Sequence, residues 1–323
     1  MTQILMTTNG GKNMSYEVVV ESTCDLNAEH RSKFGVYPEV IRGFVYIPGK
    51  EEFLADTEFS NYTPEAFFKL VKAKAGKIHT AFAPFQEFVR VVEPILKDGK
   101  DAIILTISSG ISGTYNGFLN WAGVLLEDYP ERKIEIIDSL KYSSAAGLLA
   151  IYAVENRNKG MSFEDNVKWL NENRYRLHEA GPMDDLTFLA RNGRISGGKA
   201  FFGQLAGVQP FGDFTRDGKN APLGTLKGEA KTNEVSLQYM LKLADKIEDQ
   251  IIVIAHSVRA KRAEEFKRQL LAVAKPRDVI ITHVGESCGP NMGPGLCAYF
   301  FMGSPITDTR EKELALFSEL KGK

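Results

Sequence analysis

The chain has 323 residues, enough for one large or two ordinary domains, and its 43% hydrophobic and 25% charged residues are typical of a globular protein. A net charge of −1 leaves no electrostatic footprint for nucleic acid or an anionic membrane, and no apolar run is long enough to span a bilayer. No basic segment followed by an apolar core marks a signal peptide, and Cys24, Cys288 and Cys297 are scattered with no C-x-x-C, so a cytoplasmic protein without disulfide framework or zinc is expected.

Residues 1–15 are polar and read as a disordered extension, with Met14 as an alternative start. Tyr16 to Val20 reads as a strand that ends at Glu21-Ser22-Thr23, and Asp25 is placed to cap a helix from Leu26 to Phe34. Val36 to Ile47 is β-rich but interrupted by Pro38 and Gly43. Thr63-Pro64-Glu65 is a helix start: Thr caps, Pro takes the first helical position and Glu stands in the first turn. Ile78 to Ala81 reads as a short loop before a helix from about Pro84 to Leu96. Ile103 to Ile107 is a buried strand stopped by Ser108-Ser109-Gly110, with Ser112-Gly113-Thr114 leading into a further helix. Lys133 to Asp138 is a strand ending in Asp-Ser, and Ser143 to Asn156 is a helix rich in small residues.

The second half opens with a helix from Ser162 to about Leu177. Asp217-Gly218 signals a hairpin between Val208–Thr215 and Ala221–Leu226. Lys231 to Lys246 reads as a helix, Gln250 to Ala255 as a strand ending at His256, and Arg259 to Ala274 as an amphipathic helix. Asp278 to Val284 is a strand, Gly289 to Gly295 a tight loop, and Leu296 to Met302 a last apolar strand. Phe201, Phe202, Leu205 and Val208 either line a tunnel or fill a core, the latter being the commoner use of such residues.

Strands alternating with helices point to an α/β fold with a parallel, doubly wound sheet, in which ligands sit at the carboxyl ends of the strands. Three strand ends carry hydroxyls, at Ser22-Thr23, Ser108-Ser109 and Ser139, and a parallel sheet would bring them to one edge. A hydroxyl-rich turn opening a helix suits a carboxylate or phosphate, although the same pattern serves as an ordinary turn and helix cap.

Catalytic signatures are missing. No G-x-S-x-G elbow is present, and a hydrolase would need Ser109 to meet His256 in space. There is neither a G-x-x-x-x-G-K-[ST] loop nor a G-x-G-x-x-G after a strand, which argues against an autonomous kinase or dehydrogenase. The five histidines show no metal-ligand spacing, so neither metal nor other cofactor is expected.

Several stretches together resemble the DegV family of bacterial lipid-binding proteins. They are ISSGISGTYNG at Ile107–Gly117, DDLTFLARNGRISGGKA at Asp184–Ala200, the G-P-G of Gly293–Gly295, Glu21-Ser22-Thr23 for the family's D-S-T, Asp138-Ser139 for its second D-S pair, and the Asp217-Gly218-Lys219 turn. The resemblance spans about Tyr16 to Met302. It implies two α/β domains, here 16–160 with the parallel doubly wound sheet and 161–323 with a mixed sheet, and a long-chain fatty acid at their junction. It further implies a non-catalytic carrier, as in the carrier subunit of bacterial fatty acid kinase, where a separate ATP-using kinase subunit converts the bound carboxylate to an acyl phosphate. The family's carboxylate contacts look like Thr80 and Ser109, with Ser108 adjacent and the turn residues Gly110, Ser112 and Gly113 supplying N–H and hydroxyl groups. Ser22, Thr23, Arg194, His256 and Asn291 are ligand or junction candidates. A monomer without stable membrane insertion is expected.

The chain departs from the family in three places. The S-Q-P that commonly follows the ligand Thr is Ala81-Phe82-Ala83. The His often found two residues before G-P-G is Asn291, which donates a hydrogen bond but carries no charge. The basic stretch after the hairpin, linked to kinase docking, is Leu226-Lys227-Gly228-Glu229-Ala230-Lys231.

Overall fold

The computed structural model describes residues 16–75, 77–195 and 207–322. The expected extension over 1–15, and Phe201, Phe202 and Leu205, lie outside the described residues. Thirteen strands are described: β1 (Tyr16–Glu21), β2 (Val40–Ile41), β3 (Phe44–Tyr46), β4 (Phe53–Leu54), β5 (His79–Ala81), β6 (Asp101–Thr106), β7 (Ile134–Asp138), β8 (Leu177–Pro182), β9 (Val208–Phe214), β10 (Asn220–Lys227), β11 (Ile251–His256), β12 (Asp278–His283) and β13 (Cys297–Met302).

They form three sheets. The first has the order β2-β1-β6-β7 and is wholly parallel. The second has the order β10-β9-β8-β13-β11-β12, with only β11 and β12 parallel. A small antiparallel sheet, β4-β3-β5, lies beside the first. The fold is therefore mixed α/β, as the strand–helix alternation implied.

The unbroken apolar runs of β1 and β6 follow from burial on both faces. Val18, Val20, Ile103 and Leu105 join one core, while Val19 and Ile104 join another with the helices Phe85–Lys97 and Thr114–Asp128. The same alternation divides β11: Val253 and Ala255 face the first core, and Ile252 and Ile254 face a third core under the helices Glu229–Leu243 and Ala260–Val273. Between the two large sheets lies the helix Ser144–Asn158, buried from Ser144 through Ile151. Its small residues permit that close packing: a Cβ on Gly147 would stand 2.4 Å from the Cys24 carbonyl. The following helix, Phe163–Asn173, is tied back to β1, since Asn166 Nδ2 donates to the Tyr16 hydroxyl at 3.0 Å.

Local structure differs from the sequence reading at several points. The helix expected from Ser162 to about Leu177 ends at Asn173, and Leu177–Pro182 is instead β8, a strand inside the second sheet that the sequence reading did not give. Ile78–Ala81 is not a loop: His79–Ala81 pairs antiparallel with Phe44–Tyr46 as β5. The first helix is Ala28–Phe34 and is capped by Asn27, whose Oδ1 accepts from His30 N at 2.8 Å. Asp25 instead sits at φ +57 and accepts from Ser143 and Ser144 and from Gly285 N, which ties the end of β1 to the helix between the sheets and to the loop after β12. The stretch Gly289–Gly295 begins as a short helix, Gly289–Met292.

Candidate functional site

The carboxyl ends of β1, β6 and β7 meet one end of the small sheet and two loops of the second half. There a narrow cleft of about 60 Å³ is lined by Glu21, Thr23, Thr80, Ser112, Arg194 and Asn291. Ile107, Ile111, Tyr142 and Phe82 supply its apolar wall.

Thr80 is the middle residue of β5, opposite Val45. Its Oγ1 accepts from Asn291 Nδ2 at 3.3 Å, so its own proton is free for a ligand. Ser112 and Thr114 stand at the start of the helix Thr114–Asp128, with their hydroxyls 2.8 Å apart. That helix has Gly113 at its cap position and no side-chain cap, so N–H groups of its first turn remain for an anion. Phe82 closes one side: its ring packs on Gly117 of the same helix and lies 5.5 Å from the Trp121 ring, edge to face.

Arg194 is the cation of the cleft. Its Nη1 donates to the Asn192 carbonyl, and among the described residues no carboxylate lies within ion-pair distance of it. Glu21 is buried at 3% exposure, accepts from Ile107 N at 2.7 Å, and is pushed up by burial to about 7. The buried Thr23 hydroxyl lies beside that carboxyl and has no hydrogen bond of good geometry.

The other sequence candidates lie outside this cleft. Ser109 is held away from Thr80, donating from Oγ to Asp138 Oδ2 at 2.5 Å while its N–H reaches Oδ1. Ser108 accepts from Gly110 N at 3.0 Å, and Ser22 spends its hydroxyl on Ser287 at 2.7 Å and Gly43 N. Gly110 abuts the β9–β10 turn, where a Cβ would stand 2.5 Å from the Asp217 carbonyl. The Ser108-Ser109-Gly110 turn is thus a joint between the sheets. His256 does not meet Ser109: its Nδ1 accepts from Arg259 N, its ring lies 4.3 Å from that of His283, and burial pushes it down to about 4. The hydrolase pairing is absent.

Glu21, Tyr142, Thr114, Ser287 and Phe82 belong to the cleft without having been singled out as ligand residues from sequence. Glu21 carried a signal in its position at a strand end, Thr114 in the hydroxyl cluster at a helix start, and Phe82 in following the family's ligand Thr. Among the described residues no group of three His, Cys, Asp or Glu is placed to hold a metal ion, and no helix is long and apolar enough to cross a membrane. A larger, open cleft of about 670 Å³ lies beside the helices Pro64–Ala73 and Thr187–Arg191; it is lined by Arg191, which precedes Arg194 in the family motif, and by Gly295 of the G-P-G, but by none of the carboxylate candidates.

The family model described as "Uncharacterised protein, DegV family" matches residues 15–304. The chain belongs to the DegV family. A DegV domain-containing protein of Clostridium perfringens is 31% identical over 252 residues, which is 78% of this chain and 85% of that protein. Among solved structures, a DegV family protein from Thermus thermophilus, described by its fatty acid binding, superposes with a TM-score of 0.77 at 23% identity, covering 90% of this chain and 99% of that one. The DegV family protein of Ruminococcus gnavus, solved with vaccenic acid, also gives 0.77 at 20% identity, covering 89% and 100%. At these identities the superposition shows that the DegV fold is shared.

Proposed function

We propose that this DegV chain binds a long-chain fatty acid, with its carboxylate in the Thr80–Ser112–Arg194–Asn291 cleft. The observation that carries the reading is the Asn291–Thr80 hydrogen bond beside Arg194: it leaves the Thr80 proton outward, next to a cation with no carboxylate partner among the described residues. A buried carboxylate is costly unless paired, and this set of donors offsets that cost through charge-assisted hydrogen bonds. The fatty acid binding of the Thermus thermophilus protein and the vaccenic acid held by the Ruminococcus gnavus protein support the ligand class.

Affinity would come from the tail. Each buried methylene contributes about 0.8 kcal/mol, so a sixteen-carbon chain contributes roughly 11 kcal/mol before several are lost to ordering. The cleft adjoins apolar material that the tail would have to part: Ile107, Ile111 and Tyr142 belong to one apolar cluster with Met183, Leu186 and Leu189. No nucleophile–base pair is needed for this role. The carrier would present the carboxylate to a separate kinase subunit. A carrier without a kinase partner is the second reading, favoured by the mixed charge of Leu226–Lys231 where the family is basic.

Native mass spectrometry of the purified protein, followed by extraction and identification of the released molecule, tests the binding. A co-purifying or added fatty acid is expected at one per chain, and a protein that takes up none overturns the reading. Transfer of phosphate from ATP to the bound acid by a fatty acid kinase catalytic subunit separates the two carriers.

A further inference from the structure

A second pocket opens against the face of β8, β9 and β10. Arg194 lines the headgroup cleft and its neighbour Ile195 lines this pocket, with Met183 and Leu189. Most of the lining is apolar, but three polar side chains line it too; Asp213 is spent on His178 and the Tyr239 hydroxyl, and the other two are not. Asn220, 6% exposed, has both Nδ2 and Oδ1 buried without a hydrogen-bond partner among the described residues. Glu179, 5% exposed, makes no side-chain hydrogen bond among the described residues, and its carboxyl is pushed up to about 8 by burial and by the charge of Asp213, so it is protonated at neutral pH. The free room is about 20 Å³, enough for one oxygen-sized group.

A plain methylene chain passing beside this pocket would have no group to enter it and would leave an amide and a carboxyl unpaired, which is unfavourable. An amide that is unsatisfied at both ends calls for a partner that donates and accepts. A hydroxyl does both, whereas a keto or epoxide oxygen only accepts and would leave Asn220 Oδ1 unpaired. We propose that the preferred ligand is a fatty acid bearing a hydroxyl on its chain, received by Asn220 and Glu179.

This rests on the fatty-acid reading above, and the test separates the two. Dissociation constants are measured by calorimetry for octadecanoic acid and for hydroxyoctadecanoic acids with the hydroxyl at successive carbons. One positional isomer is expected to bind about tenfold more tightly than the unsubstituted acid. Asn220→Leu should abolish that preference while retaining the unsubstituted acid, and Glu179→Leu serves where Asn220→Leu does not fold. Equal or weaker binding of every hydroxylated isomer overturns the inference and leaves the fatty-acid reading intact; it would mean that a buried water satisfies the pair. A preference that survives in the folded variant also overturns it. If no acid of either kind binds, both readings fall.

Discussion

Asn291 Nδ2 donates to Thr80 Oγ1 across 3.3 Å, joining the short helix Gly289–Met292 to the short strand β5. The direction of this bond decides what Thr80 can do. An amide N–H facing the hydroxyl makes Thr80 an acceptor there and a donor toward the cleft. Asn291→Asp reverses that: the Thr80 hydroxyl donates its hydrogen bond to the carboxylate instead of to the ligand, and a negative charge is added beside the ligand. Fatty acid binding is expected to weaken at least about tenfold, since hydrogen bonds to charged groups contribute about 1.5–3 kcal/mol each. Thr80→Val with Ser112→Ala should weaken the acid much more than the matching alcohol. Titration calorimetry with both ligands checks this, and equal losses would exclude a carboxylate role for the pair.

Glu21 gives the same cleft a pH dependence. Burial raises its carboxyl to about 7, while the N–H of Ile107 favours its ionised form. Below pH 7 it is protonated and can donate to a bound carboxylate; above, it ionises and repels it. Arg194 is the other charged residue lining the cleft. Affinity for a fatty acid is expected to be flat from about pH 5.5 to 6.5 and to fall from about pH 7 to 8.5. Glu21→Gln should flatten that profile. An unchanged profile in the variant would show that Glu21 does not face the ligand.

The strands β1 and β6 were legible because burial on both faces forces uninterrupted apolar runs, Val18-Val19-Val20 and Ile103-Ile104-Leu105, whereas β8, Leu-His-Glu-Ala-Gly-Pro, carries no such run and its first residue reads as the end of a helix. The start at Thr63-Pro64 was legible because its logic is local, and Thr63 Oγ1 indeed accepts from Ala66 N. The hydroxyls of Ser22-Thr23, Ser108-Ser109 and Ser139 do gather at the carboxyl ends of adjacent parallel strands. Which of them is free was not legible, because each is decided by a distant partner. Asp138 claims Ser109 from 29 residues away and Ser287 claims Ser22 from 265. Ser112, three positions beyond Ser109, stays in the cleft because the turn carries it round to the helix start. The three-residue β5 has too little pattern of its own and exists through its pairing with β3. Asp25 resembled a cap by position, and only the closeness of Ser143 and Gly285 shows its bridging role.

Lys141, 1% exposed, lies over the Phe214 ring at 4.7 Å and is pushed down by burial to about 7, against the pull of Asp213. Between about pH 7 and 10.5 the unfolded chain holds a proton on this lysine that the folded chain has lost. Its contribution to stability therefore rises with pH across that window. Lys141→Met removes the ionisable group and keeps most of the volume. In urea titrations at pH 7 and at pH 9.5, the variant should gain on the wild type at the lower pH and lose that advantage at the higher. A difference that does not change with pH would mean that Lys141 keeps its proton when folded.

Gly218 holds the joint between the sheets. It occupies the left-handed turn of the β9–β10 hairpin at φ +77, and a Cβ there would stand 2.1 Å from Ser108 Oγ and 3.0 Å from Leu140 Cα. Two effects then combine on substitution, backbone strain and collision with the Ser108-Ser109-Gly110 turn. Gly49 separates them: it sits at φ +78 with nothing within 4 Å of where a Cβ would stand, so alanine there meets strain alone. Gly49→Ala is expected to lower stability by about 1 kcal/mol and Gly218→Ala by roughly 2–4 kcal/mol. Chemical denaturation of both variants checks the difference. Gly218→Ala should also weaken fatty acid binding, because the turn it pushes leads directly into Ser112 and the helix start at the cleft. Equal losses of stability in the two variants would show that the hairpin does not bear on the Ser108 turn.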